Sequence, residues 1–257
     1  MPERTSYEPG TPSWVDLATP DLDAAKRFYA SLFGWEAQAA GTEEETGGYA
    51  FFLLDGKRVA GVSPIMTEGF PPVWSTYIST DDADAVAERA KASGASLLAE
   101  PMDIMDTGRM TFLMHPVGGA IGAWQPGSHT GAERVNDPGC FTWCELHTHD
   151  VDGAKAFGAV VFGWTFDDQP FGEMIYTLVK VGETGVAGIV PFTADVPDEV
   201  PANWMTYFAV EDCDASVAKL EELGGSVLMR PMDVPTVGRF AIVADPFGAQ
   251  FGVIRNA

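Results

Sequence analysis

Hydrophobic and polar positions along this chain follow one pattern that recurs four times in outline. "SWVDLAT" (13–19) alternates with the period of two that marks a strand. It leads into Asp21, which can cap a helix carrying Ala25, Phe28 and Leu32 on one face. "TYIST" (76–80) leads into Asp81 and a second helix that ends near Gly94. Strand-rich segments follow each helix. "YAFFLLDGKRVAGVSPI" contains Asp55 and Gly56, a pair suited to a type I′ hairpin. "RMTFLMHPVGGAIGAW" and "RFAIVADPFGAQFGVI" each break at Pro-x-Gly between two apolar runs. Each half therefore predicts β-α-β-β-β followed by β-α-β-β-β, an α+β architecture.

The two halves are copies. "SWVDLATPDLDAAKRFYASLFGW" returns as "TWCELHTHDVDGAKAFGAVVFGW", and from Trp14 and Trp143 onward 12 of 22 aligned residues are identical. The second copy repeats the helix faces with Ala154, Phe157 and Val161, then with Val217 and Leu220 ahead of Gly224. A repeat this long is a whole small domain rather than a solenoid unit. The expected organisation is an N-terminal arm (1–12), a first domain (13–124), a Gly/Pro-rich linker (125–139) and a second domain (140–257), each domain burying its own core. The copies act as mutual controls: what both keep points to architecture, and what one alone has points to chemistry.

Composition narrows the function classes. Among 257 residues the net charge is −22, which disfavours nucleic acid and an anionic membrane surface as partners. No apolar run approaches the roughly 18–20 residues of a membrane span, and "MPERTSYEPGTP" lacks the apolar core of a secretory signal, so a cytoplasmic location is expected. Cys140, Cys144 and Cys213 lack zinc-site spacing and are expected to be reduced and structurally incidental. No P-loop, dinucleotide fingerprint or GxSxG elbow is present, and no cofactor is expected.

The element order, with "D-x-D-x-A-x-x-F…FGW" after the first strand and "DP-x-G" before the last, resembles the vicinal oxygen chelate superfamily of glyoxalases, extradiol dioxygenases and bleomycin-resistance proteins. The likeness covers nearly the whole chain beyond the arm, and is nearest to tandem two-domain actinobacterial members called glyoxalase-like or hydroxylase-like. It implies that two modules of each domain curl into a cup. Metal-dependent members hold a divalent ion in that cup with His, Gln or Glu. The corresponding positions here are Trp14, Gly61, Ser75 and Gly122, and in the second copy Trp143, Gly188, Met205 and Gly252. None offers an imidazole or carboxylate, so the resemblance implies cups without the family's metal site.

Strand periodicity indicates what the cups contain instead. With Trp14 facing inward, Asp16 and Ala18 do too; the second copy sets Trp143, Glu145 and His147 on that face. Tyr77 and Tyr207 follow on the next strand, and Gly122 with Trp124, or Gln250 with Gly252 and Ile254, on the last. Tryptophan walls and glycine gaps suggest a hollow slot for an aromatic or polyketide-like ring, with Trp14, Asp16, Tyr77, Trp124, Trp143 and Gln250 as its binding residues. Asp16 and Glu145 have raised pKa values if unpartnered, which suits acid–base work; alternatively they accept hydrogen bonds from Tyr77 and Tyr207 and brace the strand. His147 is unique to the second copy, so Glu145, His147 and Tyr207 are the candidate catalytic set.

His149 reads as a surface or capping residue, while His115 occupies a turn and His129 the linker; none suggests a ligand. Arg109 with Asp103, and Arg239 with Asp233, read as structural ion pairs, and Met102, Met105, Met110 and Met114 as core. The expected function is metal-independent binding of a small hydrophobic or aromatic metabolite or antibiotic by a monomer or homodimer. The alternative is a glyoxalase-like lyase or isomerase, or a hydroxylase-type enzyme, working through the second cup.

Overall fold

The computed structural model describes residues 3–67, 69–172 and 174–257. The first half runs β1 (Pro12–Thr19), α1 (Leu22–Phe33), β2 (Glu36–Ala39), a short α2 (Glu43–Thr46), β3 (Ala50–Leu54), β4 (Lys57–Pro64), β5 (Val73–Ser79), α3 (Ala83–Ala92), β6 (Ser96–Ile104), β7 (Gly108–Met114) and β8 (Ala120–Pro126). The second half repeats it as β9 (Phe141–Thr148), α4 (Val151–Phe162), β10 (Thr165–Phe171), β11 (Met174–Val181), β12 (Thr184–Pro191), β13 (Asn203–Ala209), α5 (Cys213–Glu222), β14 (Ser226–Val234), β15 (Gly238–Ala244) and β16 (Gln250–Asn256). No helix of the described residues is long and apolar enough to cross a membrane.

Local chemistry sets these boundaries. The Asp21 and Asp150 side chains cap α1 and α4 by accepting the Ala24 and Gly153 N–H groups. At α3 the cap is Asp82, whose N–H donates to Thr80 Oγ1 as that of Asp150 does to Thr148 Oγ1. Asp55 and Gly56 both have positive φ, as a type I′ turn requires.

Each half forms one eight-stranded sheet, in the order β2-β3-β4-β1-β5-β8-β7-β6 and its equivalent. The two four-stranded modules join where β1 pairs antiparallel with β5, and each of those strands has a parallel neighbour, β4 or β8. Alternation along β1 sends Val15 and Leu17 to the helix-bearing face, while Trp14 and Asp16 line the other face, the cup.

The halves do not bury separate cores. One apolar cluster runs from Val15, Trp35 and Trp74 through Leu146, Phe208 and Phe251, so the helix-bearing faces of both sheets pack together and the cups face away from each other. Equivalent residues meet at the centre, where the Thr76 and Thr206 hydroxyls lie 3.2 Å apart. Reciprocal bonds tie the halves. Trp35 Nε1 donates to the Gly139 carbonyl at 2.7 Å, and Trp164 Nε1 donates to the Gly10 carbonyl at 2.7 Å. Gly10 and Gly139 both have positive φ, and a Cβ on either would press on the Phe162 or Phe33 carbonyl of the first helix in one or the other half. The "FGW" and "G" positions of the repeat thus serve the junction between copies.

Other expectations need amendment. Met102 and Met105 are exposed at the β6 edge rather than packed in the core. Arg109 bonds Asp103 as expected, but also holds Asp84 on α3 through two nitrogens; Arg239 does the same with Asp233 and Asp214. All three cysteines are free and buried.

Candidate functional site

The second cup is organised around one carboxylate. Glu145 projects from the middle of β9 between β12 and β13, paired with Gly188 on one side and Met205 on the other. Tyr176 on β11 donates its hydroxyl to Glu145 Oε1 at 2.8 Å, and Tyr207 on β13 donates to Oε2 at 2.7 Å. Trp143 Nε1 donates in turn to the Tyr176 hydroxyl at 2.9 Å. His147 Nε2 stands 3.5 Å from Oε2, an ion-pair distance. Burial works to raise the Glu145 pKa, but His147, Tyr207 and Tyr176 outweigh it and hold the group below the ordinary glutamate value. The acid is not unpartnered, so the condition for a raised pKa is not met here: donors from three neighbouring positions, Tyr207 among them as the alternative reading had it, favour the ionised form. Both tyrosines are pushed in the opposite direction, by burial and by the Glu145 charge, and remain neutral donors.

The first cup has the same plan with a shorter acid. Trp14 Nε1 donates to the Tyr49 hydroxyl at 3.0 Å, and Tyr77 hydrogen-bonds Asp16. No histidine follows, since Ala18 stands where the second copy has His147. Burial therefore prevails, and the Asp16 pKa is raised to about 7. The repeat has set two equivalent carboxyls apart, one toward the neutral form and one ionised.

Glycine makes room for the tyrosines. A Cβ on Gly188 or Gly61 would overlap the Tyr176 or Tyr49 hydroxyl, and one on Gly252 or Gly122 would overlap the Tyr207 or Tyr77 ring. These are the strand positions that the resemblance assigns to metal ligands. Here aromatic rings cross them to reach the acid. Tyr49 and Tyr176 escaped the sequence argument, although their spacing of 127 residues matches that of Gly61 and Gly188. Among the described residues no group of three or more His, Cys, Asp or Glu side chains could hold a metal ion. One carboxylate, two neutral phenols and an imidazole do not fit the His/Gln/Glu cage of such an ion.

The cups differ in access. The first is not hollow. His129, from the linker, buries its ring 4.4 Å from that of Trp14 and 5.6 Å from that of Trp124, whose Nε1 donates to the His129 carbonyl. Ala132 N–H bonds the Ser13 carbonyl, and Glu133 exchanges bonds with the Arg58 backbone. Trp14, Asp16, Tyr77 and Trp124 are thus brought together, but beneath the linker. Burial lowers the His129 pKa to about 4, so the plug is a neutral imidazole. On the corresponding ground of the second half, Thr142, Trp143 and Gly185 line an open cleft of about 530 Å³, bounded opposite by Arg4 and Tyr7 of the arm. Gln250 lies apart, exposed at the start of β16. His149 is exposed, its Nε2 3.2 Å from the Pro197 carbonyl. His115 is buried, its Nδ1 accepting the Val117 N–H and its ring 4.1 Å from that of Phe157.

With this geometry in view, comparison with known proteins is informative. The family model of the Glyoxalase/Bleomycin resistance protein/Dioxygenase superfamily matches residues 11–139 and again 140–253. The chain belongs to this superfamily. A Mycobacterium tuberculosis protein named "Putative glyoxylase CFP32" is 42% identical over 261 residues, covering 100% of this chain and 99% of the relative. "Anthracycline biosynthesis protein DnrV" of Streptomyces peucetius is 37% identical over 265 residues, covering 98% and 95%. The Mn(II)-bound glyoxalase from Novosphingobium aromaticivorans superposes with a TM-score of 0.66 at 18% identity, covering 96% of this chain and 82% of that one, a likeness of fold.

Two outcomes follow for this superfamily member. Gly252→Ala should cost about 1–3 kcal/mol by forcing the Tyr207 ring off the strand, and little when Tyr207 is already Ala, which has no atom beyond Cβ to clash; chemical denaturation of the single and double variants measures that coupling. Equal costs in both backgrounds would contradict the crossing. Asp16 should carry a pH signature. The unfolded carboxyl titrates near about 4 and the folded one at about 7. The folded state therefore holds the extra proton between those values. The resulting stability is complete below the lower pKa and lost as pH rises through the upper one. Asp16→Asn should remove that loss, seen by calorimetry as a melting temperature falling less between pH 5 and pH 8 than in the parent. Parallel pH profiles would contradict it.

Proposed function

We propose that this chain is a metal-independent superfamily member that binds a small, apolar, ring-bearing molecule in its second cup and the cleft beside it. The observation that carries this reading is the unequal filling of two equivalent sites. Residues 129–133 occupy the ground beside Trp14, while the ground beside Trp143 lines a cleft of about 530 Å³, large enough for a ligand of several fused rings. Trp143 supplies a flat wall whose N–H is already engaged by Tyr176, which leaves the ring face for stacking. The name of the Streptomyces relative, an anthracycline biosynthesis protein, agrees with a fused aromatic ligand. The donor set argues for binding without a metal, because each oxygen of the carboxylate already accepts a phenol hydroxyl.

A second reading has its own support. Glu145, His147 and Tyr207 converge only in the second half, and an ionised carboxylate 3.5 Å from an imidazole can hold a proton at His147 Nε2 and release it to a bound molecule. That arrangement would suit a glyoxalase-like lyase or isomerase, or a hydroxylase-type enzyme, and the name of the mycobacterial relative agrees. Binding comes first in either case.

Calorimetric titration with an anthracyclinone, a neutral fused tetracyclic quinone, tests the site. One molecule should bind per chain. Trp143→Ala should weaken binding about tenfold, in line with the loss of an aromatic wall, and Trp14→Phe should leave it unchanged. Loss of binding with Trp14→Phe alone would place the ligand in the first cup and overturn the reading.

A further inference from the structure

We propose that the cleft between α1 and α5 is a binding site for a guanidinium group on an alkyl chain, outside the shared core and separate from both cups. The repeat shows what such a site would hold. Its counterpart is the seam between α3 and α4. There the Arg89 guanidinium donates to the Val161 carbonyl, in the last turn of α4, through Nε at 3.1 Å and Nη2 at 2.9 Å. Val86, three residues earlier on the same helix face, is buried. A guanidinium from one half thus closes on the carbonyl end of a helix from the other. At the α1–α5 seam the equivalent places carry different side chains. Lys219 stands for Arg89, Ser216 for Val86 and Leu32 for Val161.

Those exchanges open the seam. Ser216 is smaller than valine, and its hydroxyl turns back to the Asp212 carbonyl at 2.7 Å. Lys219 is exposed, and among the described residues its ammonium makes no hydrogen bond or ion pair. The result is a cleft of about 420 Å³ whose lining includes Leu32, Phe33, Glu211, Asp212, Ser216 and Lys219. The surroundings match those that Arg89 meets on the other side. Leu32 and Phe33 offer apolar surface to an alkyl stem, and the carbonyl end of α1 offers acceptors to a planar fork. α1 carries no basic residue in its own last turn, so its dipole end is left for a cation from elsewhere. Glu211 and Asp212 add two carboxylates, and the net charge of −22 draws cations toward the surface. Lys219 opposes a bound cation, but its long stem keeps the ammonium in solvent, and an ammonium cannot reproduce the two-nitrogen grip of Arg89.

The test is a titration of the isotope-labelled full chain with n-propylguanidinium, followed by amide NMR, with n-butylammonium as a cation of equal charge and similar length. The guanidinium should shift the Leu32, Phe33 and Ser216 amides along a saturating curve, with a dissociation constant of about 1 mM, the scale open to a ligand of few atoms. n-Butylammonium, which lacks the fork, should bind at least about fivefold more weakly. Lys219→Arg should abolish the saturating shifts, because the chain then supplies its own guanidinium as it does at Arg89. Lys219→Met should strengthen binding about threefold by removing a like charge. Both variants alter an exposed helix position, so folding is expected to survive, and melting temperatures check it. Shifts that rise linearly, or equally with the two cations, would reduce the effect to pairing with the acidic surface and overturn the proposal. Saturating shifts that survive Lys219→Arg would put the ligand elsewhere and overturn it as well.

Discussion

The structure turns on a carboxylate buried in the middle of a sheet and satisfied by tyrosine hydroxyls that reach it across glycine. A lone ionised acid in such a place is costly, whereas one that accepts two phenol hydrogen bonds and faces an imidazole is not. Glu145 meets that condition through Tyr176, Tyr207 and His147. The condition propagates outward. Tyrosines can reach the acid only if the strands they cross carry no side chain, which accounts for Gly188 and Gly252, and Trp143 fixes one hydroxyl in turn. Seven positions on five strands become interdependent through one charge. The second cup is thereby a scaffold for a fixed anion.

Duplication then allowed the halves to diverge around that common plan. The helix-bearing faces share one core and exchange tryptophan–carbonyl bonds, so neither half is free to change on that side. The cup faces are free. In the first, a shorter acid and a linker imidazole close the site, and Asp16 is left near neutrality. In the second, Glu145 gains His147, and the neighbouring ground stays open. Architecture is conserved between the copies where they touch, and chemistry differs where they face outward.

Much of this was legible before the structure. Period-two alternation placed Trp14, Asp16, Trp143, Glu145 and His147 on the cup faces, and repetition gave the module order, because both depend on local pattern. What escaped depends on contacts distant in sequence. The His129 plug lies in a segment without periodicity, and nothing local says over which strand such a segment will pass. Tyr207 as a donor to Glu145 was one of the two readings open from sequence, whereas Tyr176, 31 residues away, was not in view. Yet Tyr49 and Tyr176 repeat in step with Gly61 and Gly188, so aligning the copies residue by residue would have paired each tyrosine with its glycine.

The most direct test of the central claim is a titration of the chelator-treated protein with Mn(II), followed by electron paramagnetic resonance of the free ion. If phenol hydroxyls have taken the place of a cation around Glu145 and Asp16, the free-ion signal should rise in proportion to added Mn(II), with no stoichiometric site tighter than weak surface association, and Glu145→Gln should leave the curve unchanged. One equivalent of tightly held Mn(II) that is lost on Glu145→Gln would contradict the account.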